Sequence, residues 1–403
     1  MTITNTETTF KGRIVYVGPM SFPSGGAAAR RILGNALSLK SAGYEVLIGS
    51  GQLPQKQTNY ADEFQGISIH SIGERTAEDK PVLIKHLTYA LMGKKTVKWL
   101  SYLNPKPTAV ILYSGDLPYL IRLIPWCRKN SITLICESAD WYDPGNMPGG
   151  RFSPYRINFE ITMRYLHPHV KNIIVVSSFL ENYYKLLGCD TICIPPTIDT
   201  LTFQTQVKTL KGSLITIGYT GTPSKKDLFD NYLEALLRVD PMGEQFRFNV
   251  AGLSDDEILN FPAIKRRNMK ELPKLINCIG KVDHTKAIKL IGDSDFSILL
   301  RYPKRYAHAG FPTKVVESMA MGTPVICNLT SDLPKYILDG VSGIVCQDHQ
   351  VKSLVNALSR IKALSSVEYA NMGLVARKIA VESFDFRNYV ALLDNFIQKT
   401  KIS

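Results

Sequence analysis

Short apolar runs alternate with segments of helical periodicity along most of the chain. The run RIVYV (13–17) precedes a loop rich in proline and glycine, then a segment with apolar residues at helical spacing, then the run YEVLIGS (44–50). Apolar runs of strand length that alternate with amphipathic helices predict a parallel sheet with right-handed crossovers. Further buried strands are predicted at 109–113, 133–137 and 172–177.

The alternation starts again after IPPTID (194–199), whose two prolines favour an interdomain link. A helix is predicted at 227–239, and strands are predicted at 213–221, 246–252, 276–282, 295–300 and 324–328. The pattern therefore predicts an α/β protein with two Rossmann-like domains, residues 1–195 and 196–380. The amphipathic segment 381–403 is predicted as a terminal helix that packs back on the first domain.

Length and composition agree with this organisation and limit the partners. The 403 residues are enough for two α/β cores, and the formal net charge of +13 favours an anionic partner. No nucleic-acid-binding module is evident, so a phosphate-bearing substrate or an anionic membrane surface is favoured over nucleic acid. No secretory signal or membrane-spanning run is evident, so a cytoplasmic protein is expected, with peripheral binding to the inner face of the cell membrane as an option.

The seven cysteines give no sign of a metal site. Their number is odd and no CxxC pair occurs. Buried, reduced thiols are therefore expected, and structural zinc is not.

Two glycine-containing loops are candidates for phosphate binding. The first, 18–26, ends in Gly25 and Gly26 before a helix, and lacks the GxGxxG spacing of dinucleotide sites. The second, GYTGTPSKKD (218–227), places Lys225 and Lys226 before a helix, where an anion would offset their unfavourable position. A flexible turn and solvated lysines are the structural alternatives.

The segment HAGFPTKVVESMAMGTPVI (308–326) predicts a helix with chemistry at its start. Pro312 suits the first helical position, and Gly322 ends the helix. Thr313, Lys314 and Glu317 share one face by their spacing. Lys314 and the first backbone N–H groups would suit a diphosphate, and Glu317 would accept hydrogens from ribose hydroxyls.

This segment resembles glycosyltransferase family 4, which has the GT-B fold of two Rossmann-like domains facing a central cleft. Retaining enzymes of that family show a pattern close to EGFGLxxLEAMAxGTPV, where this chain reads AGFPTKVVESMAMGTPV. The resemblance extends through IPPTID, IGYTGTPSKKD, IGKV and DGVSGIVC, and covers nearly the whole chain.

The resemblance implies a set of donor-binding residues. Glu317 would hold the ribose, with Lys281 and Val282 beside the nucleotide. The groups around the diphosphate would be Gly25, Gly26, Thr222, Lys225, Lys226, Phe311, Thr313 and Lys314. The donor is expected to be a UDP-sugar first and a GDP-sugar next, with no further cofactor and no metal.

Two departures from the family pattern concern the donor sugar and the acceptor. The first Glu of the pattern is replaced by Ala309, and the family's histidine at the rim of the first domain is missing. Glu137, Asp140 and Trp141 occupy that rim instead. We expect Glu137 or Asp140 to position the acceptor hydroxyl; structural capping is the alternative. The triplet Asp293-Ser-Asp295 precedes a strand, so it is interpreted as a capping turn and not a metal site.

A third surface combines apolar and basic residues. Ile84, Leu87 and Leu91 share one helical side, and Lys94, Lys95, Lys98 and Trp99 follow Gly93. Such a segment can bind an anionic membrane. A helix packed on its own domain is the alternative.

The sequence therefore predicts a retaining, metal-independent glycosyltransferase that moves a sugar from a nucleotide-sugar donor to a glycan or lipid-linked acceptor. Polysaccharide or glycoconjugate synthesis is the expected context. Two alternatives remain at this point. One is a GT-B enzyme that does not transfer to an acceptor, such as an epimerase or a phosphorylase, and the other is a non-catalytic nucleotide-sugar-binding subunit.

Overall fold

A computed structural model describes residues 10–24, 26–53, 63–74, 81–143, 154–203, 214–223 and 226–402. The chain divides into two compact units. The first consists of Met1–Ile198 together with Phe386–Ser403, and the second of Asp199–Asp385.

The first unit contains an eight-stranded sheet in the described residues, with the order β3-β4-β2-β1-β5-β6-β7-β8. All pairs are parallel except β3 with β4, which is antiparallel at the sheet edge. The strands are β1 (Arg13–Gly18), β2 (Glu45–Ser50), β3 (Glu63–Phe64), β4 (Ile67–Ser71), β5 (Ala109–Tyr113), β6 (Thr133–Ser138), β7 (Asn172–Val175) and β8 (Asp190–Cys193).

Helices cover both faces of this sheet and give two apolar clusters. They are α1 (Gly26–Ser41), α2 (Val82–Leu91), α3 (Lys94–Tyr102), α4 (Leu117–Lys129), α5 (Pro154–Ile161), α6 (His167–Val170) and α7 (Ser178–Leu186). A π-helical turn, Thr162–Leu166, joins α5 to α6. Ser177 caps α7 by accepting a hydrogen bond from the backbone N–H of Leu180.

In the second unit the sheet is entirely parallel, and its order is β11-β10-β9-β12-β13-β14. The strands are β9 (Ile215–Thr220), β10 (Phe246–Ala251), β11 (Ile276–Gly280), β12 (Phe296–Leu299), β13 (Val325–Asn328) and β14 (Gly343–Cys346). The helices are α8 (Phe229–Val239), α9 (Asp255–Leu259), α10 (Pro262–Lys265), α11 (His284–Asp293), α12 (Arg305–Ala309), α13 (Thr313–Ala320), α14 (Val351–Lys362) and α15 (Ser366–Phe384).

The last helix, α16 (Val390–Ile402), belongs to the first unit. Its buried residues Leu393, Phe396 and Ile397 join the cluster that contains the apolar side of α1. Asp394 accepts a hydrogen bond from the Tyr44 hydroxyl at 2.9 Å, beside the start of β2.

The predicted α/β class and the predicted strands are confirmed, with strand ends that differ by up to two residues from the apolar runs. Two local predictions need correction. Pro312 has extended dihedrals and is the N-cap of α13, so the helix begins one residue later than predicted. The segment 83–100 contains two helices, because Gly93 between them adopts a left-handed conformation with φ of 86°.

Candidate functional site

The carboxyl ends of β9 and β10 form a glycine-lined edge in the second unit. A Cβ atom on Gly252 would lie 2.6 Å from the carbonyl carbon of Gly221, so the two backbones could not approach this closely with larger residues. Thr222, predicted at the diphosphate, is exposed here and donates a hydrogen bond to the Gly252 carbonyl at 3.3 Å. Such an edge is where open parallel sheets bind ligands.

The side chain of Lys314 lies at this edge, in the first turn of α13. Its Nζ donates hydrogen bonds to Asp227 Oδ2 at 2.8 Å and to the Tyr219 hydroxyl at 2.9 Å. A Cβ atom on Gly221 would lie 3.5 Å from Lys314 Cε. Arg301, which follows β12, approaches the same carboxylate with 3.7 Å between its Nε and Asp227 Oδ1. Two cations therefore converge on one carboxylate.

The charges of this cluster depend on each other. Burial alone would raise the pKa of Asp227, but Lys314 and Arg301 outweigh burial and lower it. Burial lowers the pKa of Lys314, and the charge of Asp227 opposes that shift. Asp227, Lys314 and Arg301 together carry one excess positive charge when all three are ionised. A buried or half-buried cation excess of this kind favours an anionic ligand.

Glu317, one turn further along α13, has a different partner. Its Oε1 atom lies 3.0 Å from Nε2 of His284, the first residue of α11. Only 7% of the Glu317 side chain is exposed, whereas 50% of the His284 side chain is. The loop before α11 contains exposed Lys281 and half-buried Val282, both predicted to contact the nucleotide.

Other predicted donor residues lie around the start of α13. Phe311 packs edge-on against Tyr336 and Phe384, which fixes the turn before the helix. Thr313 is half-buried as the first residue of α13. Lys226 precedes Asp227, and its carbonyl accepts a hydrogen bond from Tyr306 at 3.4 Å.

Of the three remaining residues predicted to bind the diphosphate, Gly25, Gly26 and Lys225, the structure describes one. Gly26 lies in the first unit, is exposed, and begins α1 with a left-handed φ of 67°. Gly25 and Lys225 lie outside the described residues.

Glu137, at the end of β6 in the first unit, is enclosed. Its Oε1 lies 2.5 Å from Arg31 Nε and accepts a hydrogen bond from Asn35 at 3.0 Å. The carboxylate has no exposed surface, and burial raises its pKa against the opposing charge of Arg31. In this arrangement Glu137 is not accessible to an acceptor molecule.

Asp140, two residues beyond β6, borders an open depression of about 450 Å³. Its Oδ2 accepts a hydrogen bond from the Tyr142 hydroxyl at 3.1 Å. The residues around the depression are Ala28, Tyr113, Ser114, Ser138, Ala139, Asp140, Tyr142, Phe159 and Met163. Trp141 is buried and donates a hydrogen bond to Glu160. Asp140 is therefore the accessible carboxylate of the predicted Glu137–Asp140 pair.

The Asp293-Ser-Asp295 triplet forms the predicted turn at a helix end, because Asp293 is the last residue of α11 and Ser294 is its C-cap. Asp295 has a further structural role. Its Oδ2 accepts hydrogen bonds from the backbone N–H and the hydroxyl of Thr216, both at 2.7 Å, and so ties β12 to β9. In the described ranges, no group of three His, Cys, Asp or Glu side chains could hold a metal ion. All seven cysteines are free, and five of them are buried.

The apolar side of α2 is exposed. Ile84, Leu87 and Leu91 have 43%, 58% and 51% of their surface exposed. Lys94, Lys95 and Lys98 are exposed on the adjoining α3, while Trp99 is partly buried and stacks on His70. Where the structure describes helices, none combines the length and the apolarity that crossing a bilayer requires.

Sequence reasoning missed four residues of the second unit: Tyr219, Asp227, His284 and Arg301. Arg301 directly follows a buried strand, which is a signal for the ligand-binding edge of a parallel sheet. Asp227 and Tyr219 gave no comparable signal, because their link to Lys314 spans 87 and 95 residues of the chain. His284 follows the predicted nucleotide residues Lys281 and Val282, but its contact with Glu317 depends on how α11 and α13 pack.

Comparison with known proteins identifies the second half of the chain. Residues 202–378 match the family model described as "Glycosyl transferases group 1". No curated protein matches the chain significantly.

Solved structures match nearly the whole chain. Sucrose-phosphate synthase from Thermosynechococcus elongatus is 13% identical, with a TM-score of 0.72 over 96% of this chain and 98% of that chain. Anabaena HepE in complex with UDP-glucose is 15% identical, with a TM-score of 0.65 over 96% and 99%. The lipopolysaccharide outer core galactosyltransferase WaaB is 13% identical, with a TM-score of 0.63 over 96% and 99%. Residues 202–378 therefore form a glycosyl transferases group 1 domain, and the chain as a whole has the GT-B fold of the solved structures that it matches.

Proposed function

We propose that this enzyme transfers a sugar from a nucleoside-diphosphate sugar to a hydroxyl of a glycan or lipid-linked acceptor. The observation that carries the proposal is the Lys314–Asp227–Arg301 cluster, where two cations meet one carboxylate at the start of α13. A donor diphosphate would provide the missing negative charge. The glycine edge beside Lys314 lets backbone N–H groups approach the same phosphates.

The nucleotide is proposed to lie along the start of α13 and the loop before α11. Glu317 would accept hydrogen bonds from the ribose hydroxyls, and Lys281 and Val282 would border the base. We propose a UDP-sugar first and a GDP-sugar next. A similar structure, HepE, was solved with UDP-glucose, which supports this order.

The acceptor is proposed to bind in the depression beside Asp140. A carboxylate there can accept the hydrogen of an attacking hydroxyl, and aromatic side chains such as Tyr113, Tyr142 and Phe159 offer faces for a sugar ring.

The chemistry of the transfer is proposed to be electrostatic. Lys314 and Arg301 stabilise the negative charge that develops on the departing diphosphate, with no metal required. Retention at the anomeric carbon is part of the proposal, because the sequence resembles retaining enzymes. Identification of the product anomer by NMR tests that point, and an inverted product would contradict it.

We further propose that α2 and α3 bind an anionic membrane surface on which a lipid-linked acceptor is carried. Exposed leucine and isoleucine beside exposed lysines suit the boundary between headgroups and acyl chains. Co-sedimentation with anionic liposomes should fall in the Leu87→Ser/Leu91→Ser variant and persist in the control Leu186→Ser/Leu374→Ser. Equal binding to neutral and anionic liposomes would contradict this part.

The experiment that tests the main proposal is a thermal-stability panel with UDP, GDP, ADP and dTDP, each in EDTA. A ligand at about 100 times its dissociation constant should stabilise the protein by about 2.7 kcal/mol. We expect one nucleotide to stabilise the protein clearly. The corresponding nucleotide-sugar should then release nucleoside diphosphate when an acceptor-containing lipid extract is added. Stabilisation without acceptor-dependent release would favour an epimerase or a binding subunit.

A further inference from the structure

We infer that His284 is a positioning residue, which orients the Glu317 carboxylate for the ribose hydroxyls and so sets the preference for ribonucleotides over 2′-deoxyribonucleotides. The inference rests on the proposed function, because it assumes a nucleotide at the start of α13. It adds a specificity determinant that neither the family pattern nor the sequence motif contains.

The geometry brings the two residues together from different helices. His284 begins α11, which follows β11, and Glu317 lies in α13, which follows β12 and the short helix α12. Both helices start at the carboxyl edge of the same parallel sheet. The 3.0 Å contact between His284 Nε2 and Glu317 Oε1 therefore links the loop with Lys281 and Val282 to the first turns of α13.

The chemistry of His284 and Glu317 determines the direction of the hydrogen bond between them. An ionised carboxylate only accepts hydrogen bonds, so Nε2 carries the hydrogen and donates it to Glu317. A carboxylate has about four acceptor positions, so it can accept from His284 and from two neighbouring hydroxyls together. A bond to His284 restricts rotation of the carboxylate, and a restricted acceptor loses less entropy when it binds hydroxyls.

The imidazole is not needed to start its own helix. Asp283 already caps α11, because its Oδ1 accepts a hydrogen bond from the backbone N–H of Lys286 at 2.8 Å. Half of the His284 side chain is exposed, whereas Glu317 is buried. His284 is therefore a half-exposed hydrogen-bond donor that contacts the buried carboxylate of Glu317, at the edge where the nucleotide is proposed to bind.

Calorimetric titration of the full chain with UDP and 2′-deoxy-UDP, in EDTA, tests the inference; GDP and 2′-deoxy-GDP replace them if the panel selects guanine. The wild type should bind the ribonucleotide about 10-fold more tightly, as expected for hydrogen bonds to a charged group. His284→Ala should reduce this ratio below about 3-fold, mainly through weaker ribonucleotide binding. His284→Gln, which keeps a side-chain N–H donor, should restore part of the ratio. Thr285→Ala, the next residue of α11 and exposed, is the matched control.

The outcomes separate the two proposals. A wild type that binds the ribonucleotide, with the same ratio in His284→Ala, overturns the inference and leaves the proposed function standing. A wild type that binds no nucleotide overturns the proposed function. The ratio of Glu317→Ala, which removes the acceptor of the His284 hydrogen bond, should not change further when His284→Ala is added; a further drop would show that His284 acts independently of Glu317 and would overturn the inference.

Discussion

Both units place a cation and a carboxylate near the carboxyl ends of central strands, but only one of the two pairs remains accessible. In the first unit, Arg31 and Glu137 have 3% and 0% of their side chains exposed. In the second unit, Lys314 keeps 27% exposure, and a second cation, Arg301, shares its partner Asp227. Enclosure with matched charge indicates a structural role. Exposure with excess positive charge indicates a binding role.

The largest expected effect is on stability, in the enclosed pair. Glu137→Ala leaves Arg31 buried without its carboxylate, which should lower the free energy of unfolding of the first unit by about 3–5 kcal/mol. Urea denaturation measures this loss. The control is Glu45→Ala in the more exposed pair with Arg13, which should cost about 1 kcal/mol or less. A lower kcat/KM for the acceptor in Glu137→Ala, without loss of stability, would reverse the assignment.

A smaller effect is expected at the accessible carboxylate of the first unit. Asp140→Asn removes the carboxylate that is proposed to accept the hydrogen of the attacking hydroxyl group. The value of kcat/KM for the acceptor substrate should therefore fall about 10- to 100-fold, while the affinity for UDP stays unchanged. Steady-state kinetics at saturating donor measure the fall. An unchanged kcat/KM would remove Asp140 from the acceptor site.

The smallest effect, taken per pH unit, is a pH dependence within the first unit. His167 is fully buried, and burial lowers its pKa to about 3, from an ordinary value near 6.5. The unfolded chain therefore binds the proton first, and stability should fall as the pH drops from about 6.5 towards 3. The slope attributable to this group is at most about 1.4 kcal/mol per pH unit.

Comparison of the wild type with His167→Gln isolates that slope. Asp116 of the same unit, whose pKa burial raises to about 6, has the opposite effect, because the folded chain binds its proton first. The difference between the two proteins across pH should thus follow His167 alone. Parallel pH profiles would contradict the assignment of a neutral, buried His167.

The sequence predicted ten strands of the two sheets because buried strands carry continuous apolar runs, but it did not predict β3, β4, β8 and β14, which lie towards the sheet edges. AVILY coincides with β5, and PVICN differs from β13 by one residue. It also predicted Lys314 and Glu317 as neighbours on one face of α13. The structure separates their partners: Lys314 contacts Asp227, and Glu317 contacts His284. Such long-range pairs depend on how strands and helices pack, and local periodicity does not encode them.

The choice between Glu137 and Asp140 shows the same limit. Both acids follow the same apolar run, TLIC, and spacing does not distinguish them. Glu137 lies within β6 and meets Arg31, whereas Asp140 lies beyond the strand end beside the depression. Accessibility, which decides their roles, comes from the packing of α1 on the sheet.

The central claim is that the accessible, positively charged cluster of the second unit binds a diphosphate. The most direct measurement compares the affinities for UDP and for uridine, by calorimetry in EDTA, in the wild type and in Lys314→Ala. Lys289→Ala, an exposed lysine of α11, is the control. The account predicts that Lys314→Ala weakens the affinity for UDP about 10- to 100-fold and leaves the affinity for uridine unchanged. In Lys289→Ala both affinities should equal those of the wild type. Equal UDP affinity in the wild type and Lys314→Ala would contradict it.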